Sequence, residues 1–202
     1  MTYLINPDWK LYWAIHGRKK KRKYKNVKFT RGINIVQRTE SNSTERYTLL
    51  MAASKNNQIT RIKQLLNEGF SVNATDIRGN SPLLYACKYN SLEAMEVLLA
   101  KGANVHIKNK SKSTALMFAT QNNNVEMVKI LLAKGVDVNA FNADGRTALI
   151  YACMGNCLEI IELLLKAGAL VHIKDKEGKT ALDYQNGNSQ VEDLFNKYTR
   201  IY

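Results

Sequence analysis

The chain has 202 residues, 45% of them apolar, and a net charge of +13 at pH 7. That apolar fraction suits a globular core, and no apolar run approaches the roughly 20 residues of a membrane-spanning helix. Three cysteines, an odd number without a framework spacing, exclude a disulfide scaffold and fit a reducing, intracellular compartment.

The charge is concentrated at one end. Residues 1–46 hold twelve Lys and Arg against Asp8, Glu40 and Glu45, for +9; the remaining 156 hold eighteen basic and fourteen acidic residues, for +4. Residues 1–46 are read as a basic N-terminal extension. Asn6, Pro7 and Asp8 suit a helix start and Gly17 a stop; between them Trp9 and Trp13 share one face at i and i+4. So short an apolar helix needs cover, either from the first unit that follows or from a membrane interface. Next comes a run of Arg18, Lys19, Lys20, Lys21, Arg22, Lys23 and Lys25, broken only by Tyr24. It is similar to a short nuclear-localisation signal, suits nucleic acid or anionic lipid, and is equally what a solvated arm looks like. Nucleic-acid contact predicts steeply salt-dependent binding that disappears when 18–25 are deleted. Apolar residues precede the basic ones, the reverse of a secretory signal, so no cleaved leader is expected. The cytoplasm is the expected compartment, with the nucleus or delivery into another cell left open. Residues 27–36 alternate in part, as in a short strand, and 40–46 read as a linker.

From Tyr47 a period of 33 residues takes over. Gly69, Gly102, Gly135 and Gly168 recur at that interval, as do Leu50, Leu83, Leu116, Leu149 and Leu182, and Asn57, Asn90, Asn123 and Asn156. The spacing predicts five helix-turn-helix units over 47–74, 76–108, 109–141, 142–174 and 175–198, within a domain of 47–202. In the first unit Ile59, Ile62, Leu65 and Leu66 form one stripe, as a terminal cap requires. The next three second helices are apolar on more than one face and need neighbours on both sides. In the last unit Val191, Leu194, Phe195 and Tyr198 share one face, so the stack ends there. Gly102, Gly135 and Gly168 follow apolar helices where a left-handed residue closes the turn, so Gly135→Val should destabilise by more than about 1 kcal/mol.

Thr114-Ala115-Leu116, Thr147-Ala148-Leu149, Thr180-Ala181-Leu182 and Ser81-Pro82-Leu83 supply a capping hydroxyl, a helix start and a core Leu. With the 33-residue period they resemble the Thr-Pro-Leu-His signature of the ankyrin repeat. The resemblance implies an all-α solenoid of stacked helix-turn-helix units with hairpin tips. The signature's His is replaced by Leu84, Met117, Ile150 and Asp183, which removes the hydrogen-bonded link that His resembles between units; apolar contact can substitute.

Catalysis finds no support: there is no nucleophile and base pair, paired carboxylates, Gly-rich phosphate loop or zinc spacing, so no cofactor or metal is expected. Tyr85, Phe118, Tyr151 and Tyr184 recur at the repeat period and are read as core-facing; a base-stacking ladder is the alternative. His106 and His172 stand two units apart, too far to share a metal, and are read as turn residues. Cys87, Cys153 and Cys157 are read as buried thiols.

The resemblance further implies binding through a concave face made by the tips and first helices. On this chain the tips are Ile77, Arg78 and Asn80; Lys110, Ser111 and Ser113; Ala143, Asp144 and Arg146; Lys176, Glu177 and Lys179. The helix-face positions are Lys88 and Tyr89, Gln121 and Asn122, and Met154. Tyr89, Arg78, Arg146 and Met154 are residue types that carry interface energy. The expected function is a monomeric, non-enzymatic protein-interaction module, an adaptor, scaffold or effector-like binder. The alternatives are a nuclear or nucleic-acid-contacting protein acting through its basic arm, and an adaptor tethered to anionic membrane by the Trp9/Trp13 helix and that arm.

Overall fold

The computed structural model describes residues 36–37, 47–185 and 187–199. The expected Trp9/Trp13 helix, the basic arm 18–25 and the linker lie outside the described residues. The chain divides between Ile33 and Asn34 into two units, and every described residue belongs to the second.

A two-residue strand, β1 (Val36–Gln37), pairs antiparallel with β2 (Tyr47–Thr48), with Val36 opposite Thr48. Helices then come in pairs: α1 (Leu49–Lys55) and α2 (Ile59–Asn67), α3 (Pro82–Lys88) and α4 (Leu92–Ala100), α5 (Ala115–Gln121) and α6 (Val125–Ala133), α7 (Ala148–Met154) and α8 (Leu158–Lys166). A 3-10 turn (Ala181–Tyr184) and α9 (Ser189–Thr199) close the series. The fold is an all-α repeat stack. First helices pack on first helices in one row and second helices form the other, and the first row is the more closely packed.

Each first helix starts where the hydroxyl residue requires it. Thr48, Ser81, Thr114 and Thr147 accept from the backbone N–H groups of Met51, Leu84, Met117 and Ile150 at 3.2 to 3.3 Å, satisfying donors that a helix start otherwise leaves open. Their Leu residues enter one continuous core. Leu50, Leu83, Leu116 and Leu149 are at most 1% exposed, and the second helices add Leu65, Leu98, Leu131 and Leu164 at 0%. Truncating any of these to Ala costs about 2–5 kcal/mol, since neighbouring units only partly collapse into the space.

The last unit departs from the others. Leu182 is 41% exposed, a correction to its expected place in the core. Its first helix is only the four-residue 3-10 turn, and among the described residues no further unit packs beyond it. Asp183, at the signature's His position, accepts from both the backbone N–H and the hydroxyl of Thr180 at 2.7 Å. In α9, Val191 and Phe195 are buried, and Leu194 and Tyr198 are half-buried.

The missing His is replaced by two devices. Leu84, Met117 and Ile150 are each 1% exposed, so apolar contact fills those positions. Asparagines carry the polar links. Asn57 Oδ1 accepts from Ala94 N–H at 3.0 Å while its amide donates to Glu93. Asn124 donates to Asn90 and Asn188 to Asn156, both at 2.6 Å. Asn73 and Asn139 each accept from the backbone 31 residues on, at Asn104 and Leu170. Asn57, Asn90, Asn123 and Asn156 have φ between +52° and +58°, a left-handed conformation that Asn tolerates better than most residues.

Candidate interaction surface

Four hairpin tips project between the helix pairs, and one local design builds them. The first residue of each, Asp76, Asn109, Asn142 or Asp175, bonds its backbone N–H to the carbonyl four residues on, at 2.9 to 3.1 Å. Its side-chain oxygen accepts from N–H groups inside the turn: Arg78 and Asn80 at Asp76, Ser113 at Asn109, Asp144 and Arg146 at Asn142, Glu177 and Lys179 at Asp175. A short polar side chain that mimics backbone is what such turns demand. Adjacent tips are tied to each other by Lys110 N–H to Arg78 O and Ala143 N–H to Ser111 O, both 2.8 Å, and Lys176 N–H to Asp144 O at 2.9 Å. At the fourth tip position Gly79, Gly145 and Gly178 have φ of +76° to +78°; the second tip has Lys112 there, at +57°.

The tyrosines of the aromatic series complete three of the four tips from beneath, and the second tip has Phe118 at that position, which has no hydroxyl to donate. Tyr85 OH donates to Asp76 at 2.9 Å and Tyr184 OH to Asp175 at 2.5 Å, while Tyr151 OH accepts from Asn142 at 2.8 Å. Tyr85 is 6% exposed and Phe118, Tyr151 and Tyr184 are half-buried, and the three tyrosine hydroxyls are engaged with the tips. The hydroxyl of Tyr184, with N–H groups of Lys179 and Glu177 and the Arg146 guanidinium, holds the Asp175 carboxyl below the usual carboxylate range against the opposing effect of burial.

The residues expected to face a partner divide into three groups. Ile77, Arg78, Lys110, Ser111, Ala143, Asp144, Lys176, Glu177 and Lys179 stand exposed on tips, and Lys88, Tyr89, Gln121, Asn122 and Met154 are exposed at the ends of first helices. Ser113 is half-buried. Asn80 is a correction: it is 8% exposed, its amide donates to Asp76 and its oxygen accepts from Asn109, so it links two tips and faces no solvent. Arg146 is held within the protein, donating to Glu177 at 2.8 Å and Asp175 at 3.5 Å, with its guanidinium 5.8 Å from the Tyr184 ring centre. Asn122 also donates to the Cys87 and Lys88 carbonyls.

Three residues on this face escaped the sequence reading. Phe141 is 52% exposed at the base of the third tip, with the Lys112 ammonium 5.9 Å from its ring centre. Lys55 occupies the repeat position of Lys88 and lies 4.5 Å from the centre of Tyr89, with Lys88 itself at 5.8 Å. Lys55 was legible from the period. Lys112 was legible as the one departure from a glycine column.

His106 and His172 are exposed, and no group of three metal-ligating side chains occurs among the described residues. Cys87, Cys153 and Cys157 are free and buried. Burial pushes the Cys87 and Cys153 thiols up to about 12 and raises Cys157 as well. No helix among the described residues is long and apolar enough to cross a membrane.

A family model described as ankyrin repeats, in three copies, matches residues 11–109 and 101–176. No curated protein matches the chain.

Proposed function

Since the chain belongs to the ankyrin-repeat family, whose members generally mediate protein–protein interaction, we propose that it is a non-enzymatic adaptor that captures another protein on the face shared by its tips and first helices. One observation carries this reading. Of the six large apolar side chains at least 40% exposed among the described residues, four (Ile77, Tyr89, Phe141 and Met154) stand on this face, and none is on a second helix. Exposed aromatic and Met side chains next to polar tips are the usual composition of an interface core and rim. The domain doing this work is 47–202, with 1–46 as its extension, acting as a monomer inside a cell; the three free thiols support that compartment.

The test is affinity capture from native lysate with the full chain and two variants. Ile77→Ser/Tyr89→Ser/Met154→Ser alters the tip-and-helix face, and Lys63→Ser/Glu96→Ser/Lys134→Ser alters exposed second-helix and loop positions. Proteins retained by the wild type and the second variant and lost by the first support the reading. Equal capture by all three refutes it.

A second reading rests on the seven basic residues among 18–25 and the +9 of residues 1–46. In it the arm directs the protein to the nucleus, nucleic acid or anionic membrane while the repeats hold the partner. Deleting 18–25 then changes location and salt-sensitive binding without changing which protein is captured.

A further inference from the structure

The charge on the tip-and-helix face is uneven along the stack. Towards the C-terminus two of the three cations are paired, Arg146 with Asp175 and Glu177, and Lys179 with Glu177 at 3.3 Å, and Lys176 alone forms no ion pair among the described residues. Towards the N-terminus Lys55, Lys88, Lys110 and Lys112 form no ion pair among the described residues. The one carboxylate among the first two tips, Asp76, is engaged internally, accepting from Arg78 and Asn80 N–H, the Asn80 amide and the Tyr85 hydroxyl.

Two aromatic rings hold three of these ammonium groups, Tyr89 beneath Lys55 and Lys88, and Phe141 beneath Lys112. Gathering like charges is unfavourable for the chain by itself. The Lys112 backbone adds strain, since it takes a left-handed conformation where the other tips use glycine. Inside the fold the ammonium groups gain only their contacts with these two rings; an anionic ligand placed between them gains from the gathered charge.

We propose that this N-terminal half of the face, built on Lys55, Lys88, Tyr89, Lys110, Lys112 and Phe141, receives an acidic segment of the partner protein. Its carboxylates lie between the lysines and an apolar side chain lies against the exposed parts of Tyr89 and Phe141. The proposal rests on the reading of this face as the protein-binding surface. Nucleic acid fits less well, because base stacking needs an open ring face. The Tyr89 ring is already stacked on Tyr85, centres 6.1 Å apart and planes within 7°, and has two ammonium groups over it.

The experiment is fluorescence anisotropy on the full chain with two labelled probes, a peptide of repeated Glu-Glu-Leu-Glu units and an oligothymidylate of matched charge. Three variants are compared: Lys55→Glu/Lys88→Glu/Lys112→Glu on the face, Lys176→Glu/Lys179→Glu at the other end, and the arm with every Lys and Arg of 18–25 changed to Gln. Circular dichroism confirms folding, and Lys55→Gln/Lys88→Gln/Lys112→Gln provides a milder substitution. The expected result is peptide binding weakened about tenfold or more by the face variant, less by its Gln counterpart, and little by the other two. Peptide binding that is absent, or that falls only with the arm variant, overturns the proposal. So does tighter binding of oligothymidylate than of peptide to the arm-neutralised chain. If the peptide fails while Ile77→Ser/Tyr89→Ser/Met154→Ser still abolishes protein capture, the acidic partner is wrong and the protein-binding reading stands. If neither holds, both fall.

Discussion

Two glycines with nearly the same backbone conformation separate the cost of a left-handed residue from the cost of tip-to-tip approach. Gly135 has φ of +71° and a Cβ added to it meets nothing within 4 Å. Gly135→Ala therefore carries only the left-handed penalty of about 1–2 kcal/mol, less about 0.5 kcal/mol for the stiffer unfolded chain, or about 1 kcal/mol net. Gly145, at +78°, differs because its Cβ would sit 2.9 Å from Asp175 Cα and 3.1 Å from Lys176 N. Those are backbone atoms of the next tip, and they cannot retreat without stretching the 2.9 Å bond from Lys176 N–H to Asp144 O. Losing that bond adds about 1 kcal/mol and overpacking about another, giving about 3 kcal/mol for Gly145→Ala. For a chain of this size that means melting about 3 °C lower for Gly135→Ala and about 9 °C lower for Gly145→Ala, followed by circular dichroism with urea midpoints as a second measure. Equal shifts for the two variants would refute the close approach of the tips. Wild-type melting of Gly135→Ala would refute the left-handed turn.

Asn57 does two jobs, and two substitutions divide them. Asn57→Gly keeps the left-handed turn and loses the bonds to Glu93 and Ala94, costing about 1 kcal/mol; Asn57→Ala loses both and should cost about 2 kcal/mol, an order that urea unfolding checks. The Asp175 carboxyl titrates below its unfolded range because the Tyr184 hydroxyl bonds its charged form. Its stabilisation is therefore complete above the unfolded value, near pH 4, and is lost as pH falls through the folded value. Urea midpoints taken from pH 7 downward should show the wild type losing its advantage over Asp175→Asn only below about pH 4, and an advantage unchanged at pH 3 contradicts the assignment. Cys87 and Cys153, with thiols raised to about 12 by burial, should resist iodoacetamide in the folded protein and react once it is unfolded. Mass spectrometry that finds Cys87 alkylated as fast as a free thiol removes it from the core.

Much of the fold was legible because a unit of 33 residues cannot bury its own apolar side and each must repeat the same contacts. The spacing of Leu50, Leu83, Leu116 and Leu149 placed four core positions, and the hydroxyls of Ser81, Thr114 and Thr147 marked three helix starts. The same rule misled at Leu182, where the period continues but no further unit packs among the described residues, and the side chain is left 41% exposed.

The surface was less legible. Periodicity says which residues share a repeat position, and that sufficed to place Ile77, Tyr89 and Met154 on one face. It does not say which polar groups are already engaged with one another. Asn80 and Arg146 hold the same tip position two units apart, yet one bonds to Asn109 of the next tip and the other to Asp175 and Glu177, each 29 to 31 residues away. Phe141 and Lys112 form a pair only because adjacent tips are brought side by side. From its sequence alone this chain determined the unit, the turns and the core, since these depend on local spacing and on the need to hide apolar surface. Which charges remain available to a partner was decided by tertiary structure, because a hydrogen bond or ion pair is made across units and depends on distance in space.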